Sequence, residues 1–548
     1  MASVKFNKKT FEKEIAKVTP EIESKISLFG TPIENISDEE IEIDVTPNRP
    51  DLLSYQGFKR SFLAFLAKSK GLKKYKIHPP EKDYKVIVDS SVKDVRPYTA
   101  CAIIKGLKFS DENIKEIIDI QEKLHTTVGR KRKKLAIGIY PLEKITLPIT
   151  FRAVEPDKIK FIPLESSVIM NGLEILQKHP TGKEYAHLLA GKSKFPIFVD
   201  AKGEILSMPP IINSELTGRV LETTRDVFVE CSGHDFNSLK KCLSIIVCAM
   251  SDMGGKIYSM EMSGSLEKSS PNLETEKMKI SLENIEKVLG ISVKEKDIKE
   301  NLEKMGHNYD KGLVEIAPYR TDILHEIDLI EDFAIGYGYE NFIPEIPSIS
   351  TIGQEDPKET IKRKIAEILS GTGFLETSNY HLTTKKDQFT KMGILEKQES
   401  GAILLEDSKT ENDVLRKDLT SFCLKIFSEN VDCEYPQKTF ESGRVFFEKE
   451  GNLIEEDRLC VGVTPGNFTQ LKQVFEYLNR MLSLEIEFVE EAKNSIHFIE
   501  GRTAGIYLGG KKIGEIGEIH PKILKNWKIK MPVALLEISL EEIYKKLI

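Results

Sequence analysis

The sequence predicts a multidomain α+β protein, and three observations carry that prediction. The chain has 548 residues, 40% hydrophobic and 30% charged, enough for several cores at ~100–200 residues per domain. It is punctuated by His78-Pro79-Pro80-Glu81, by the Ser-, Gly- and charge-rich run from Ser263 to Thr275 with Pro271, and by Pro344-Glu345-Ile346-Pro347-Ser348. Helical spacing precedes the first of these points, β-rich runs with turns separate it from the second, and a helical region lies between the second and the third. The expected segments are 1–80, 81–268, 269–346 and 355–548.

In the first, Leu53 to Leu66 places Phe58, Phe62, Phe65 and Leu66 at helical spacing, giving an N-terminal α/β domain. The second alternates β-rich runs with turns: Lys85-Val86-Ile87-Val88, Ala102-Ile103-Ile104 and Pro196-Ile197-Phe198-Val199. A mixed α/β domain follows. The third offers helices starting at Ser281-Leu282-Glu283-Asn284, over Asp297–Met305 and over Leu329–Tyr337, with a hairpin-like segment between the last two. The fourth opens with a helix over Lys358–Gly371. Strands at Arg444-Val445-Phe446-Phe447 and Thr503–Leu508 then predict an antiparallel sheet covered by helices.

The net charge of −7 excludes a strongly basic nucleic-acid coat but not a local basic patch. Apolar residues throughout oppose a disordered acidic chain. The most apolar stretch, Cys242 to Met250, is far shorter than the ~20 residues of a membrane span, and the N-terminus lacks the apolar core of a secretory signal. Seven scattered cysteines without Cys-x-x-Cys argue against a disulfide framework or zinc ribbon and for a reducing, cytoplasmic location. The ten histidines form no zinc-hydrolase pair.

The run Tyr319-Arg320-Thr321-Asp322-Ile323-Leu324-His325-Glu326-Ile327-Asp328-Leu329-Ile330-Glu331-Asp332 carries the most chemistry. Asp328, Glu331 and Asp332 at i, i+3 and i+4 share one helical face, and Asp322 is able to return to it. Two readings stand: a hard-cation site for Mg²⁺ or Ca²⁺, or a solvated acidic face with Thr321 or Asp322 capping the helix.

With the residues in hand, the chain resembles the β subunit of phenylalanyl-tRNA synthetase, in its short archaeal and eukaryotic form. The resemblance rests on Asp44 to Gly57 (DVTPNRPDLLSYQG), Arg130 to Gly138 (RKRKKLAIG), Met208 to Ser214 (MPPIINS), Tyr319 to Asp332 followed by Gly336-Tyr337-Gly338-Tyr339, Gly501-Arg502-Thr503-Ala504, and Ile513 to Pro521 (IGEIGEIHP). The motifs occur in the family's order over essentially the whole chain. The resemblance implies an (αβ)₂ tetramer that joins phenylalanine to tRNA-Phe at the expense of ATP, with ATP and phenylalanine bound mainly by the α subunit. It implies a Mg²⁺ site shared with that subunit, on Asp322, Asp328, Glu331 and Asp332 in a small winged-helix-like domain. It implies an editing domain over the second segment that hydrolyses Tyr-tRNA-Phe, with Asn213, Ser214, Thr217, Gly218 and His234 as candidate pocket residues. A turn and cap at Asn213-Ser214 is the alternative. The fourth segment resembles a class II synthetase fold without its catalytic residues: Gly373-Phe374-Leu375-Glu376-Thr377 stands at the dimerisation motif, but Glu441-Ser442-Gly443-Arg444 is no Phe-Arg-x-Glu. Tyr140-Pro141 departs from the acidic residue expected there. Lys68–Lys76 and Arg130–Lys134 are basic runs, and the second suits tRNA phosphates, which require only positive charge. Rival readings are a structural partner without editing, and a free-standing RNA-binding or deacylase protein.

Overall fold

The computed structural model describes residues 2–108, 110–394, 401–490 and 496–548. It divides into two compact units, Met1–Ile346 and Pro347–Ile548.

In the first unit the expected N-terminal helix runs over Tyr55–Phe65, capped by Ser54, whose hydroxyl accepts from Gly57 N–H. Phe58 and Phe62 are fully buried, with ring centroids 5.2 Å apart. The helix packs beside an antiparallel sheet of Ala2–Asn7, Glu40–Val45 and Ile33–Ile36, with Glu40–Val45 in the middle. This segment is therefore α+β and not α/β, because it lacks the crossover that parallel pairing requires.

Two sheets build the middle of the unit. One is five-stranded, in the order Ile77–His78, Lys256–Tyr258, Tyr98–Lys105, Val227–Gly233, Leu135–Pro141. The other is seven-stranded and contains Phe195–Val199, Ile205–Met208 and Ile212–Asn213 at one end. Helices Asp111–Thr126 and Phe236–Asp252 cover the outer face of the five-stranded sheet. Side chains alternate across each strand. Val227, Val229 and Cys231 join the helix-covered core, whereas Phe228 joins Cys101, Ile103, Tyr140, Phe151 and Phe198 in the other core, which takes in both sheets. Glu230, two residues on from Phe228, faces that second side.

The last part of the unit has helices Leu282–Leu289, Glu295–Lys304 and Glu326–Tyr337 against a small sheet. The expected hairpin is Asn308–Asp310 paired with Leu313–Ile316. The boundaries read at 80 and 270 do not separate compact bodies. Ile77–His78 pairs with Lys256–Tyr258, and Met305, Ala317 and Tyr319 share one core with Phe58, Phe62 and Ile246.

The second unit is a seven-stranded sheet, antiparallel apart from the edge strand Leu375–Glu376, which runs parallel to Gln437–Lys449. Helices Pro357–Gly371 and Phe468–Met481 bury Ile361, Ile365, Leu471 and Phe475 against it.

Candidate functional site

A cleft of about 170 Å³ opens in the first unit where three strands distant in sequence meet. Asn213, Glu230, His125, Arg132 and Ile137 are among its lining residues. Gly138 stands opposite Glu230 in the ladder. A Cβ on Gly138 would lie 2.2 Å from the Tyr140 hydroxyl and 2.6 Å from Glu230 Oε1, so only glycine leaves both groups room. The Tyr140 hydroxyl lies 2.8 Å from Ser207 Oγ and 3.3 Å from both Asn213 Oδ1 and Glu230 Oε1. One phenolic proton serves one of these at a time.

Glu230 is 2% exposed, and its Oε2 has no hydrogen-bond partner among the described residues. Burial lifts its carboxyl, the nearby Arg96 charge offsets only part of that, and the pKa stands at about 8. At neutral pH Glu230 is thus an uncharged carboxylic acid, able to donate as well as accept. Arg96, fully enclosed and lowered to about 10 by burial, donates to Ser232 Oγ and to its carbonyl. His125 has both ring nitrogens engaged: Nε2 accepts from Ile137 N–H at 2.8 Å and Nδ1 meets Glu122. It is part of the wall and not a free base. Arg132 donates to Ile211 O and Glu122 and stacks over Tyr185 at 4.5 Å. Arg130, Lys131 and Arg132 have φ of 48°, 53° and 63°, a left-handed run that costs non-glycine residues ~1–2 kcal/mol each. It turns Arg132 inward and leaves Arg130, Lys131 and Lys133 exposed.

Of the five residues predicted for the pocket, only Asn213 lines it. Ser214 is 2% exposed and precedes the short turn Glu215–Gly218 without capping it through its side chain. Thr217 is fully buried, its hydroxyl turned to Ile205 O and Leu206 O at 3.4 and 3.5 Å. Gly218 backs Asn213, where a Cβ would come within 2.8 Å of the asparagine Cβ. His234 is exposed beyond the end of Val227–Gly233. Four residues past Glu230 at ~3.3 Å per residue, it lies roughly 13 Å along the strand and away from the cleft. Glu230 and Tyr140 were missed by sequence reasoning.

The four carboxylates of the acidic run do not converge, because Arg320 already supplies positive charge to two of them. Arg320, 3% exposed, donates from Nε to Asp322 Oδ1 at 2.9 Å and from Nη2 to Asp322 Oδ2 at 2.7 Å. The same Nη2 lies 2.8 Å from Asp332 Oδ2, which His307 Nε2 also meets at 2.7 Å. Burial alone would raise Asp332, but Arg320 and His307 overcome it and hold the group at about 2. Asp328 turns back to cap its helix, Oδ2 accepting from Leu324 and His325 N–H. Glu331 is exposed. Among the described residues no group of three or more acidic, His or Cys side chains is arranged to hold a metal. Asp322 and Asp332 are thus engaged by Arg320, while Asp328 Oδ1 and Glu331, one turn apart, are the open oxygens. A second buried pair, Arg49 and Asp51 (two bonds of 2.9 Å), lies in the Asp44–Gly57 motif, and Arg49 and Arg320 feel one another's charge. Two of the resemblance motifs therefore each hold a buried Arg–Asp pair in the first unit.

In the second unit Arg416, 2% exposed, donates to Glu441 at 2.6 Å and to the carbonyls of Arg444 and Asn379. A cleft of about 760 Å³ lies on the sheet, with Asp418, Arg458 and Glu537 among its lining residues. There Arg458 pairs with Glu456 and Glu537, so these charges are satisfied within the chain. All seven cysteines are free thiols, only Cys433 exposed. No helix among the described residues is long and apolar enough to cross a membrane.

Comparison with known proteins places these features. Residues 343–540 match the family model of the phenylalanyl tRNA synthetase beta chain CLM domain, and residues 278–339 match the tRNA synthetase B5 domain. The phenylalanine--tRNA ligase beta subunit of Archaeoglobus fulgidus is 37% identical over 527 residues, covering 95% of each chain. That of Pyrococcus furiosus is 38% identical over 509 residues, covering 91% of this chain and 90% of the relative. The crystal structure of an N-terminal fragment of the phenylalanyl-tRNA synthetase beta subunit from Pyrococcus horikoshii superposes with a TM-score of 0.59 at 34% identity, over 61% of this chain and 99% of the fragment. With identity at this level over nearly its whole length, the chain belongs to the phenylalanine--tRNA ligase beta subunit family.

Proposed function

We propose that the chain serves its ligase as a proofreading and scaffolding subunit in an (αβ)₂ cytoplasmic enzyme. Tyrosine wrongly joined to tRNA-Phe is hydrolysed in the cleft around Asn213 and Glu230, while phenylalanine activation from ATP takes place on the α subunit. One observation carries the editing reading: a buried, uncharged carboxylic acid stands beside a phenol and an amide in an open cleft. A pocket shaped for phenylalanine rejects an added hydroxyl poorly, whereas a site built to hydrogen-bond that hydroxyl discriminates by ~10⁴–10⁵. Exposed Arg130, Lys131 and Lys133 beside the cleft offer phosphate contacts to the incoming tRNA. Asn213→Ala is expected to slow Tyr-tRNA-Phe deacylation at least tenfold, on the order of one lost hydrogen bond, with phenylalanylation intact. Ser214→Ala, behind the wall, is expected to match wild type. Unchanged deacylation in Asn213→Ala would favour a purely structural subunit instead.

The scaffolding role rests on the second unit, where Arg416 and Arg458 are engaged by the chain's own carboxylates. Adenylate formation requires cationic groups aimed at phosphates. Mg²⁺ belongs, on this reading, at Asp328 and Glu331, with its remaining positions filled by the α subunit and water. The full chain alone is expected to show neither pyrophosphate exchange nor stoichiometric Mg²⁺ in isothermal titration, and the co-expressed complex to show both. Either activity in the isolated chain overturns this division of labour.

A further inference from the structure

The basic run Lys68–Lys76 borders a second cleft of the first unit, of about 300 Å³, lined by Ser69 to Lys73 of the run and by Lys59, Arg60 and Ser61 of the helix Tyr55–Phe65. The run is pinned there and is not a loose surface segment. Gly71, in the left-handed region with φ of 80°, donates its N–H to Glu303 O at 2.8 Å, and Leu72 N–H donates to Asn308 Oδ1 at 3.0 Å. Arg60 carries the argument. Its side chain is 7% exposed, and its guanidinium lies 3.7 Å over the Tyr319 ring. Nη1 donates to Asp252 Oδ2 at 2.6 Å and to the Tyr75 hydroxyl at 3.0 Å. Both hydrogen bonds of Arg60 leave from that one nitrogen, and buried Nε has no partner among the described residues. Nε–H and Nη2–H form the fork of a guanidinium. Arg49 grips Asp51 with it, and Arg320 grips Asp322 with it. In Arg60 the fork grips nothing within the chain. A buried charged donor without an acceptor is costly and points to a ligand, and this fork matches two oxygens of a carboxylate or a phosphate.

We propose that this cleft binds a phosphate group, with two of its oxygens on the Arg60 fork and its charge shared with Lys70 and Lys73. Among the lining residues Lys59, Arg60, Lys70 and Lys73 stand against one carboxylate, Asp252. Asp252 is already met by Lys73 Nζ at 2.6 Å as well as by Arg60. Lys59 and Lys70 pair with Glu14 and Glu300 at 2.8 and 3.1 Å, partly exposed contacts of the kind that hold a lysine weakly. A carboxylate would fill the fork, but this surplus of positive charge, with the Ser61 and Ser69 hydroxyls in the same wall, suits a group that has further oxygens and more charge. Two sources supply such a group: a free phosphate anion, or the backbone of tRNA-Phe, along which Lys74 and Lys76 extend the positive run. The second source rests on the proposed function; the phosphate site itself does not.

The test uses the full chain co-expressed with its catalytic partner. Lys70 and Lys73, with side chains 33% and 52% exposed, are acetylated in trace amounts by acetic anhydride and quantified by mass spectrometry. Inorganic phosphate or tRNA-Phe, each against chloride at equal ionic strength, is expected to protect both lysines, and Arg60→Gln is expected to abolish the protection. If tRNA-Phe is the source, Arg60→Gln also weakens its binding at least ~10-fold, the scale of a lost charge-assisted contact. The slope of log affinity against log salt concentration then falls by roughly one. Lys70→Gln, a change at a partly exposed side chain, should lower the slope in the same way and guards against misfolding of the Arg60 variant. Protection by phosphate alone assigns a free anion, and protection by tRNA-Phe assigns its backbone. Protection by neither, or protection that survives Arg60→Gln, overturns the proposal. Asn213→Ala leaves this site intact, so loss of editing and loss of phosphate binding are read independently.

Discussion

Arg320→Met is expected to destabilise the first unit by about 3–5 kcal/mol, the scale of a buried ion pair broken on one side. Methionine keeps the length of the side chain, so little packing is lost. What goes is the guanidinium that bonds both Asp322 and Asp332. Asp332, 4% exposed, would keep only His307, whose own pKa is lowered by burial. The buried core joins this corner to Phe58, Phe62 and Ile246, so the loss should appear in urea denaturation followed by far-UV signal and not merely as local fraying. Adding Asp322→Asn and Asp332→Asn to Arg320→Met should restore a large part of it, because the penalty is uncompensated charge and not missing volume. A loss under 1 kcal/mol, or no recovery in the triple variant, would show that the network is solvated and that Arg320 is not what holds the carboxylates.

The same corner shows what a single sequence does and does not reveal. The acidic spacing was legible, and so was the helix, which runs over Glu326–Tyr337. The direction of each carboxylate is only partly readable from the apolar arc. At ~100° per residue Leu329, Phe333 and Ile330 span about 100°, Asp332 falls about 60° beyond the Leu329 edge of that arc, and Glu331 about 100° beyond its Ile330 edge. Arg320 stands only two residues before Asp322, yet its reach to Asp332 depends on how the loop between strand and helix closes, and no periodicity encodes that. The long strands and the helix Pro357–Gly371 were legible for the reason that long periodic segments usually are. The merger of three expected segments into one body was not, because Ile77–His78 and Lys256–Tyr258 find each other across a large sequence separation.

For the cleft, the candidates Asn213, Ser214, Thr217, Gly218 and His234 rest on the resemblance and on the polar end of the run Pro209–Gly218. The better signal was a lone glutamate in Val227-Phe228-Val229-Glu230-Cys231, an apolar strand run. A carboxylate with apolar neighbours on both sides must be paired, neutral or functional. Its partners come from other strands: Gly138 and Tyr140 on one, Ser207 and Asn213 on two more. Register between distant strands is set by the whole sheet, so nothing in the run Ala136–Pro141 signals that the Tyr140 hydroxyl reaches Glu230.

Glu230→Leu is expected to slow deacylation of Tyr-tRNA-Phe by at least ~100-fold, because a site that binds a hydroxyl loses that term outright when its hydrogen-bonding group is removed. Glu230→Gln separates recognition from titration. Glutamine keeps a donor and an acceptor where the neutral acid has them. The wild-type group has an ordinary pKa of 4.5 and stands at about 8 in the folded chain. A raised pKa contributes stability that is fully present below 4.5 and is lost as pH rises through about 8. Wild type and Glu230→Gln should therefore be close in stability at pH 5. At pH 9 the glutamine variant should be the more stable, by on the order of 3 kcal/mol. Deacylation should follow the same proton: wild-type rate falls above pH 8 as the carboxyl ionises, while the glutamine variant shows no such fall. The two proteins thus differ in the shape of a pH profile and not merely in its height, which a general loss of folding would not produce. Parallel stability curves from pH 5 to pH 9, or the same alkaline fall in Glu230→Gln, would show that Glu230 is already ionised at neutral pH and does not recognise the tyrosyl hydroxyl as a neutral acid.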